Sequence, residues 1–411
     1  MKNFFFCCFL IFLLVVYIYS IVFDAIPIST KVILEIVGFF TCFKYFNGQG
    51  YRLKKEYITI GLFVIAMVIW DIFTSTINGG SEFRLIKTAV PILGSFFGAQ
   101  LIYEVSKKHL KSIDQFLFLV VITIFLESVL SILMKLYPAL YSFVDSFLQF
   151  DFGNDYWTDI FDIERLIGIG NAIYFGVLTS CALGVITAIY LIDRVQKNIE
   201  KYLLVLMWVV ISITSFLTTR WSLAIIALSV GCFLLNQRGR GFAKNIFLVG
   251  GLILAVWIAL SITMSNIDDD MRRWAFSFFI DRESDDKSAE NVMNWWMTTR
   301  FSIKTFLIGD ARYTDPVYGY YMHVDVGFFR QIFYGGIIGL GLNLWAHVKT
   351  LKMLKKYNNT PIFRTFLFFL MLGYLVILVK GDANMMTFFV LYLVFYTGGI
   401  FERANNNLRQ L

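Results

Sequence analysis

The stretch HVDVGFFRQIFYGGIIGLGL, residues 323–342, joins the one long polar segment of the chain to an apolar helix. The polar segment begins near Ile267, and long hydrophobic runs lie on both sides of it. His323, Asp325 and Gly327 stand where this segment meets the predicted helix, and four glycines follow inside that helix. The rest of the chain is predicted to hold the segment at a membrane surface.

Composition decides the class of protein. The chain has 411 residues, of which 58% are hydrophobic and 16% charged, and it contains 44 Phe; its mean hydropathy is +0.69. A soluble globule could not cover that much apolar surface, whereas a bilayer does. We therefore expect an all-α polytopic membrane protein. Residues 4–23 are predicted to be its first spanning helix and not a cleaved signal peptide.

Apolar runs of about 17 to 25 residues predict about 12 transmembrane helices. They cover residues 4–23, 31–46, 57–78, 85–103, 114–136, 166–192, 202–219, 221–236, 245–264, 326–346, 362–379 and 383–401. One large loop lies between the ninth and tenth. The expected regions are 1–264 with the first nine helices, 265–325 as the large loop carrying part of the active site, and 326–411 with the last three helices and a short tail.

The distribution of Lys and Arg predicts the orientation. The loops that follow the second, fourth, sixth, eighth and tenth helices are rich in both, as in Lys54, Lys107 and Lys197. Basic loops stay in the cytoplasm, so both termini are predicted to be cytoplasmic and the loop over 265–325 extracytoplasmic. The net charge of +7 reflects this bias and gives no indication of nucleic-acid binding.

Several cations nevertheless fall on the predicted outer side. They are Arg84, Lys87, Arg165, Arg220, Arg300, Lys304, Arg312, His323 and Arg330. A cation at the outer end of a span opposes the expected orientation and is costly inside hydrocarbon. Convergence of several would suit an anionic ligand, because the planar fork of Arg matches phosphate oxygens. For each one alone, snorkelling or pairing with a nearby acid is the alternative, and for Arg330 that alternative is a helix interface.

Residues 291–306 are predicted to form one helix within the loop. Trp296, Arg300 and Lys304 recur at every fourth position, which places them on one helical face. One interpretation is an amphipathic helix resting on the outer leaflet. The other is that the same face borders a lipid-phosphate substrate.

His323 is the candidate base. It lies two residues before Asp325, and a carboxylate at that position could orient the imidazole and favour its protonated form. The alternative is an interfacial histidine with no chemical task. No His or Cys spacing in the sequence is typical of a metal site, so we expect neither a metal nor another cofactor.

The order and placement of short motifs resemble the O-antigen polymerase and ligase superfamily. These motifs are Arg165-Leu166-Ile167-Gly168, Thr219-Arg220 opening a span, His323-x-Asp325-x-Gly327 and Gly335-Gly336-Ile337-Ile338-Gly339. The resemblance extends from about Arg84 to Asn384. The chain departs from the family at Thr219-Arg220, where Ser-Arg is common, and at Gly309-Asp310-Ala311, where Gly-x-Gly is frequent.

The resemblance implies transfer of a saccharide from an undecaprenyl-pyrophosphate carrier to a hydroxyl, on the outer side of the bacterial cytoplasmic membrane. By that analogy Arg165, Arg220, Arg300 and Arg312 hold the pyrophosphate, and His323 is the base. Arg84 and Lys304 are added as further pyrophosphate contacts and Asp325 as the partner of His323. The reaction is expected to need no metal and to invert the anomeric carbon. Expected partners are the lipid-linked oligosaccharide, the bilayer, a chain-length regulator and a flippase.

Polymerisation is preferred because nothing in the sequence is tied to a lipid A core acceptor, and an O-antigen ligase is the first alternative. The second is a lipid-linked oligosaccharide flippase. A transporter would be expected to show internal repeats, broken helices and charges near the midplane. The sequence shows no evident repeat, although Glu35, Asp71 and Glu127 fall inside apolar runs. A purely structural membrane protein is the remaining alternative.

Overall fold

The structure is a computed structural model. It describes residues 2–26, 28–46, 50–149, 166–170, 175–236, 250–251, 258, 288–315, 319–382 and 384–403. The predicted ninth span, residues 245–264, lies almost entirely outside these residues.

Helices dominate the described part of the chain. They are α1 (Lys2–Tyr19), α2 (Thr30–Phe46), α3 (Lys55–Asn78), α4 (Arg84–Ser106), α5 (Ile113–Leu136), α6 (Pro138–Asp145), α7 (Phe175–Ile192), α8 (Asn198–Thr218), α9 (Ser222–Asn236), α10 (Ser288–Thr298), α11 (Ile303–Leu307), α12 (Gly327–Tyr357), α13 (Pro361–Lys380) and α14 (Met386–Thr397). A 3-10 turn covers Tyr321–His323, and the strands β1 (Tyr51–Leu53) and β2 (Phe401–Arg403) pair antiparallel.

Five of the described helices are long and apolar enough to cross a membrane. They are α3, α4, α5, α8 and α13, and shorter apolar helices occur at Phe4–Tyr19, Gly176–Ile192, Ser222–Asn236 and Met386–Thr397. The structure therefore supports the predicted class of a helical, multi-pass membrane protein. The count of 12 spans, the layout of the loops and the orientation stay predictions.

The chain forms two compact units, and the first contains Met1–Thr30, Leu110–Glu290 and Thr360–Ile377. Its centre is α7, which packs against α5, α8 and α9. Every described side chain of α7 from Val177 to Leu191 is buried, which is typical of a helix covered on all sides. Tyr190 stacks on Phe366 of α13 at a ring distance of 4.4 Å.

The second unit contains Lys31–His109, Asn291–Asn359 and Leu378–Leu411. Within it α3 packs against α4 and α12, and α14 packs against α4 and α12. The N-terminus of α4 and the C-terminus of α3 lie at one end, which we call the Arg84 end. The opposite end holds the C-terminus of α4, the N-terminus of α3 and the ribbon of β1 and β2, and we call it the Lys54 end.

A break in α12 explains part of the glycine motif. Gly336 has φ +66° and ψ −174°, outside the helical region. A Cβ at this position would lie 2.3 Å from the carbonyl oxygen of Leu307, and one at Gly309 would lie 2.3 Å from the carbonyl oxygen of Tyr334. The backbone after α11 and the broken turn of α12 therefore approach more closely than a residue with a side chain permits.

Three carbonyl groups just before the break accept hydrogen bonds from outside α12. The N–H groups of Asp310 and Ala311 donate to the carbonyls of Phe333 and Tyr334 at 2.6 and 3.0 Å, and Trp70 Nε1 donates to the carbonyl of Gly335 at 2.7 Å. Irregular backbone inside a membrane protein requires such internal partners. The break is thus stabilised by hydrogen bonds within the second unit.

The prediction of one helix over residues 291–306 is wrong. The structure has two helices there, since α10 ends at Thr298 and α11 begins at Ile303. The hydroxyl of Ser302 accepts the N–H of Thr305 at 3.0 Å and so caps α11. Arg300 falls in the turn between the two helices, so Trp296, Arg300 and Lys304 do not share a helical face.

Candidate functional site: a charged cluster at the Arg84 end

Six residues of the second unit form what we call the charged cluster. They are Arg84, Tyr313, Asp325, Arg330, Lys380 and Asp382. They come from the start of α4, the segment before α12, the first turn of α12, the end of α13 and the turn that follows it.

Asp382 accepts three hydrogen bonds. Arg84 Nη2 donates to Oδ2 at 3.2 Å, the hydroxyl of Tyr313 donates to the same oxygen, and Gln331 Nε2 donates to Oδ1 at 2.7 Å. Burial alone would raise the pKa of Asp382, but the positive charges of Arg84 and Arg330, with these hydrogen bonds, hold that pKa below its ordinary value. Asp382 therefore remains a carboxylate.

The ring of Tyr313 is the platform on which both arginines rest. The guanidinium carbons of Arg84 and Arg330 lie 4.3 and 4.1 Å from its centroid, which is the geometry of cation–π contacts. Arg330 also lies 4.3 Å from the ring centroid of Tyr320. Burial, and next the charge of Asp382, raise the pKa of Tyr313, so its hydroxyl stays a donor to Asp382.

Asp325 lies between the cations Lys380 and Arg330. Lys380 Nζ donates to its Oδ2 at 3.0 Å, and Arg330 Nη1 lies 3.9 Å from its Oδ1. All three side chains are at most 16% exposed. Lys380 Nζ also lies 5.2 Å from the ring centroid of Trp295 in α10, so the cluster reaches the helix that precedes it in the loop.

Buried hydrogen bonds fix the start of α4, where Arg84 stands. Asp71 of α3 accepts the N–H of Ile86 at 2.7 Å and the hydroxyl of Tyr334, and that hydroxyl accepts the N–H of Arg84 at 2.7 Å. Asp71 is fully buried. It is thus the cap that orients Arg84.

Glu82 holds the segment that carries Tyr313. Its carboxylate accepts the N–H of Tyr313 at 2.9 Å and both the N–H and the hydroxyl of Thr314, at 3.2 and 3.1 Å. Glu82, the acid nearest to Arg84 in the sequence, thus has a structural task in the loop.

The cluster has one excess positive charge, because Arg84, Arg330 and Lys380 face Asp325 and Asp382. Among the described residues, no acceptor reaches the buried Nε of Arg84 or of Arg330. Each guanidinium has five N–H groups, and the contacts above use only some of them. The arrangement can therefore hold an oxyanion such as a phosphate group, with both arginine planes already fixed by Tyr313.

The other sequence-predicted residues of this unit lie on exposed surface. Lys304, Arg312 and His323 are exposed, and Arg300 donates through Nη1 to the carbonyls of Met297 and Thr299 at 2.7 and 3.2 Å. His323 has φ +57° at the end of the 3-10 turn. Of the predicted site residues, Arg84 and Asp325 are the two that the cluster brings together.

Arg220 belongs to the first unit. It stands in the short turn between α8 and α9 and is half-buried, and the N–H of Leu223 donates to its carbonyl at 3.1 Å. α8 ends at Thr218 and α9 begins at Ser222, so Arg220 lies where the predicted spans 202–219 and 221–236 adjoin. Arg165 lies outside the described residues.

Sequence reasoning missed the centre of the cluster. The expectations above include none of Lys380, Asp382 and Tyr313, and for Arg330 they give a helix interface as the alternative. A signal was available for two of them, because Lys380-Gly381-Asp382 places both charges between two long apolar runs. Comparison with protein-family models, with curated proteins and with solved structures finds no match to this chain.

Proposed function

We propose that the protein is a membrane glycosyltransferase that polymerises a bacterial surface polysaccharide, such as O-antigen or capsule. It would move a glycan from undecaprenyl pyrophosphate to another lipid-linked repeat unit. The observation that supports this proposal best is the pair of arginines on one tyrosine ring, Arg84 and Arg330 on Tyr313. Fixed guanidinium groups suit a diphosphate leaving group, whose negative charge grows as its bond to the sugar breaks.

In the proposed reaction a hydroxyl oxygen of the acceptor sugar forms a bond to the anomeric carbon. The bond from that carbon to the pyrophosphate oxygen breaks, and undecaprenyl pyrophosphate leaves with the electron pair. The hydroxyl proton passes to His323, close in sequence to Asp325. Asp382 is a poor base because its pKa is lowered, so its role would be to position Arg84.

A flippase for the same lipid is the second candidate, and the break in α12 favours it. Broken helices are common at transporter binding sites. A polar chain also passes the break, because Asn343 Nδ2 donates to Gln331 Oε1 at 3.1 Å and His347 Nδ1 lies 2.8 Å from the carbonyl of Asn343. The buried acids give less support to a flippase, because Asp71 caps α4 and Glu127 accepts a hydrogen bond from the hydroxyl of Ser131 at 2.9 Å.

The test uses purified full-length protein in nanodiscs with an undecaprenyl-pyrophosphate oligosaccharide and no nucleotide sugar. Products are resolved by length. The wild type should give a ladder of repeat units, and Arg330→Gln should lower the rate by roughly 10² to 10³. Arg403→Gln removes the same group at an exposed position of the Lys54 end and should leave the rate unchanged.

The other outcomes separate the alternatives. A single addition to a lipid A core acceptor, without a ladder, would indicate a ligase. Unchanged substrate that moves between the leaflets of a sealed vesicle would indicate a flippase. A ladder of equal rate in the wild type and in Arg330→Gln would contradict the role of the charged cluster.

A further inference from the structure

A second site lies at the Lys54 end of the same unit. A cavity of about 650 Å³ opens there between the C-terminal ends of α2 and α4, beside β1. It is lined by Thr41, Lys44, Tyr45, Tyr51, Leu101, Glu104, Val105, Lys107 and Lys108. None of these residues belongs to the charged cluster at the Arg84 end.

Glu104 organises the polar wall of this cavity. Its carboxylate accepts the hydroxyl of Tyr45 at 2.6 Å, Lys44 Nζ at 3.1 Å and Lys107 Nζ at 2.9 Å. Gln100 Nε2 donates to it as well, at 3.0 Å. The carboxylate is only 14% exposed, so the two lysines converge on a fixed point. The wall is therefore arranged by side-chain contacts within the unit.

The charge of the lining favours an anion. Lys44, Lys107 and Lys108 contribute three positive charges and Glu104 one negative charge, which leaves an excess of two. Lys108 is exposed and lines the cavity. A phosphate group between these lysines would meet two or three ammonium donors, which bind phosphate as point charges.

Aromatic rings form the other wall of the cavity. Tyr45 stacks on Phe401 of β2 with centroids 4.8 Å apart, and Tyr51 of β1 meets Tyr45 edge-on at 5.0 Å. The pairing of Tyr51 with Arg403 in the ribbon fixes Tyr51. Leu101 and Val105 add apolar surface, so the cavity offers contacts to hydrocarbon as well as to a charged group.

The surface of α2 beside the cavity is apolar and uncovered within the described residues. Phe40 and Phe43 are 64% and 43% exposed, and they stack on each other at 6.0 Å. They precede Lys44 by four and one residues, so an acyl chain that follows them would carry its headgroup to the lysines. Aromatic rings followed by lysines are typical of the boundary between hydrocarbon and headgroups.

We infer that this cavity binds the phosphate headgroup of an anionic phospholipid, with one acyl chain lying along Phe40 and Phe43 of α2. Basic pockets between transmembrane helices on the cytoplasmic side bind such headgroups, and the predicted orientation places the Lys54 end on that side. The inference is independent of the proposed function, because it concerns a different end of the unit and needs no reaction.

The test measures lipid retained by the purified full-length protein. Native mass spectrometry in detergent counts the molecules of phosphatidylglycerol and of phosphatidylcholine that stay bound over a concentration series. Wild type should retain phosphatidylglycerol preferentially, and Lys107→Gln with Lys108→Gln should weaken its retention by roughly fivefold for each lysine. The matched control is Lys355→Gln with Lys356→Gln, which removes two exposed lysines outside the cavity and should change nothing.

A third variant distinguishes a loss of lipid binding from a loss of folding. Lys108 is exposed, so Lys108→Glu should leave the elution volume and the unfolding temperature unchanged while it reverses one charge and lowers phosphatidylglycerol retention. Equal retention in the cavity variants and the control would overturn the inference. Displacement of phosphatidylglycerol by millimolar inorganic phosphate would also overturn it, since it would identify a site for a soluble anion.

Discussion

Arg84 and Asp382 are 298 residues apart in the sequence, yet Arg84 Nη2 lies 3.2 Å from Asp382 Oδ2. The contact joins the start of α4 to the turn between α13 and α14. Asp382 also accepts the hydroxyl of Tyr313, the residue on which Arg84 rests. One carboxylate thus pairs with the guanidinium of Arg84 and also holds the tyrosine ring on which that guanidinium lies.

The first prediction is a positive coupling energy between these two residues. Arg84→Gln and Asp382→Asn should each lower the free energy of unfolding, and the double variant should lose less than the sum of the two. The Arg84 side chain is 41% exposed, so solvent screening limits the coupling to about 1 kcal/mol. Unfolding by SDS titration in mixed micelles measures it. Strict additivity of the two effects would show that the ion pair contributes nothing.

The second prediction concerns pH. The pKa of Asp382 is lowered in the folded protein, so its stabilising effect is complete above the unfolded value of about 3.9 and is lost as pH falls through the folded value. The difference in unfolding free energy between the wild type and Asp382→Asn should therefore be constant near neutral pH and shrink below about pH 4. A difference that persists undiminished at about pH 3 would assign the effect to packing instead.

Local sequence patterns are sufficient to predict most of the long helices but not the charged cluster. Long apolar runs predict α3, α4 and α5 to within three residues of their ends, because a spanning helix needs a continuous apolar surface. The segment over 291–306 failed for a local reason, since Ser302 offers its hydroxyl to the backbone as an N-cap. Hydrophobic periodicity carries no information about that competing hydrogen bond.

The charged cluster could be found only in part, because its geometry depends on contacts between distant segments. Arg84 and Asp325 stood out as charges at the ends of apolar runs. The sequence gives no sign that Arg330 lies over the ring of Tyr313. Pairing of this kind arises only when α12 and the preceding loop pack together, where the backbone of Gly336 lies close to that of Leu307.

The third prediction tests that break. Gly336→Ala places a Cβ 2.3 Å from a backbone oxygen, at a φ of +66° that alanine rarely adopts. Backbone cannot move aside as a side chain can, so the variant should lose about 3 kcal/mol or more of unfolding free energy. Gly341→Ala is the matched control, because nothing beyond its chain neighbours and the adjacent backbone of α12 lies within 4 Å of its added Cβ. It should be neutral or stabilising by up to about 1 kcal/mol.

Equal loss of stability in Gly336→Ala and Gly341→Ala would mean that α12 tolerates no alanine at all. In that case the close approach to Leu307 would not be the cause of the loss. An unchanged Gly336→Ala would show that α12 can continue as a regular helix. Both measurements use the same SDS titration and need no knowledge of the substrate.

The fourth prediction concerns the opposite end of the unit. Lys54 is 9% exposed, and its Nζ donates to the carbonyl of Thr397 and, at 2.6 Å, to that of Gly399. These carbonyls lie at and just after the C-terminal end of α14, so the ammonium acts as a C-terminal cap of that helix. Lys54→Met keeps the aliphatic stem but leaves both buried acceptors without this donor, which should cost about 2 kcal/mol.

Lys55→Met is the control for Lys54→Met, because Lys55 is the exposed neighbour and its substitution removes the same charge one residue away. A specific cap predicts a large loss of stability in Lys54→Met and little change in Lys55→Met. Similar losses in the two variants would instead indicate a general effect of positive charge at this end of the unit. In Lys54→Met, backbone hydrogen exchange should also rise at the end of α14, since fraying begins where the cap is lost.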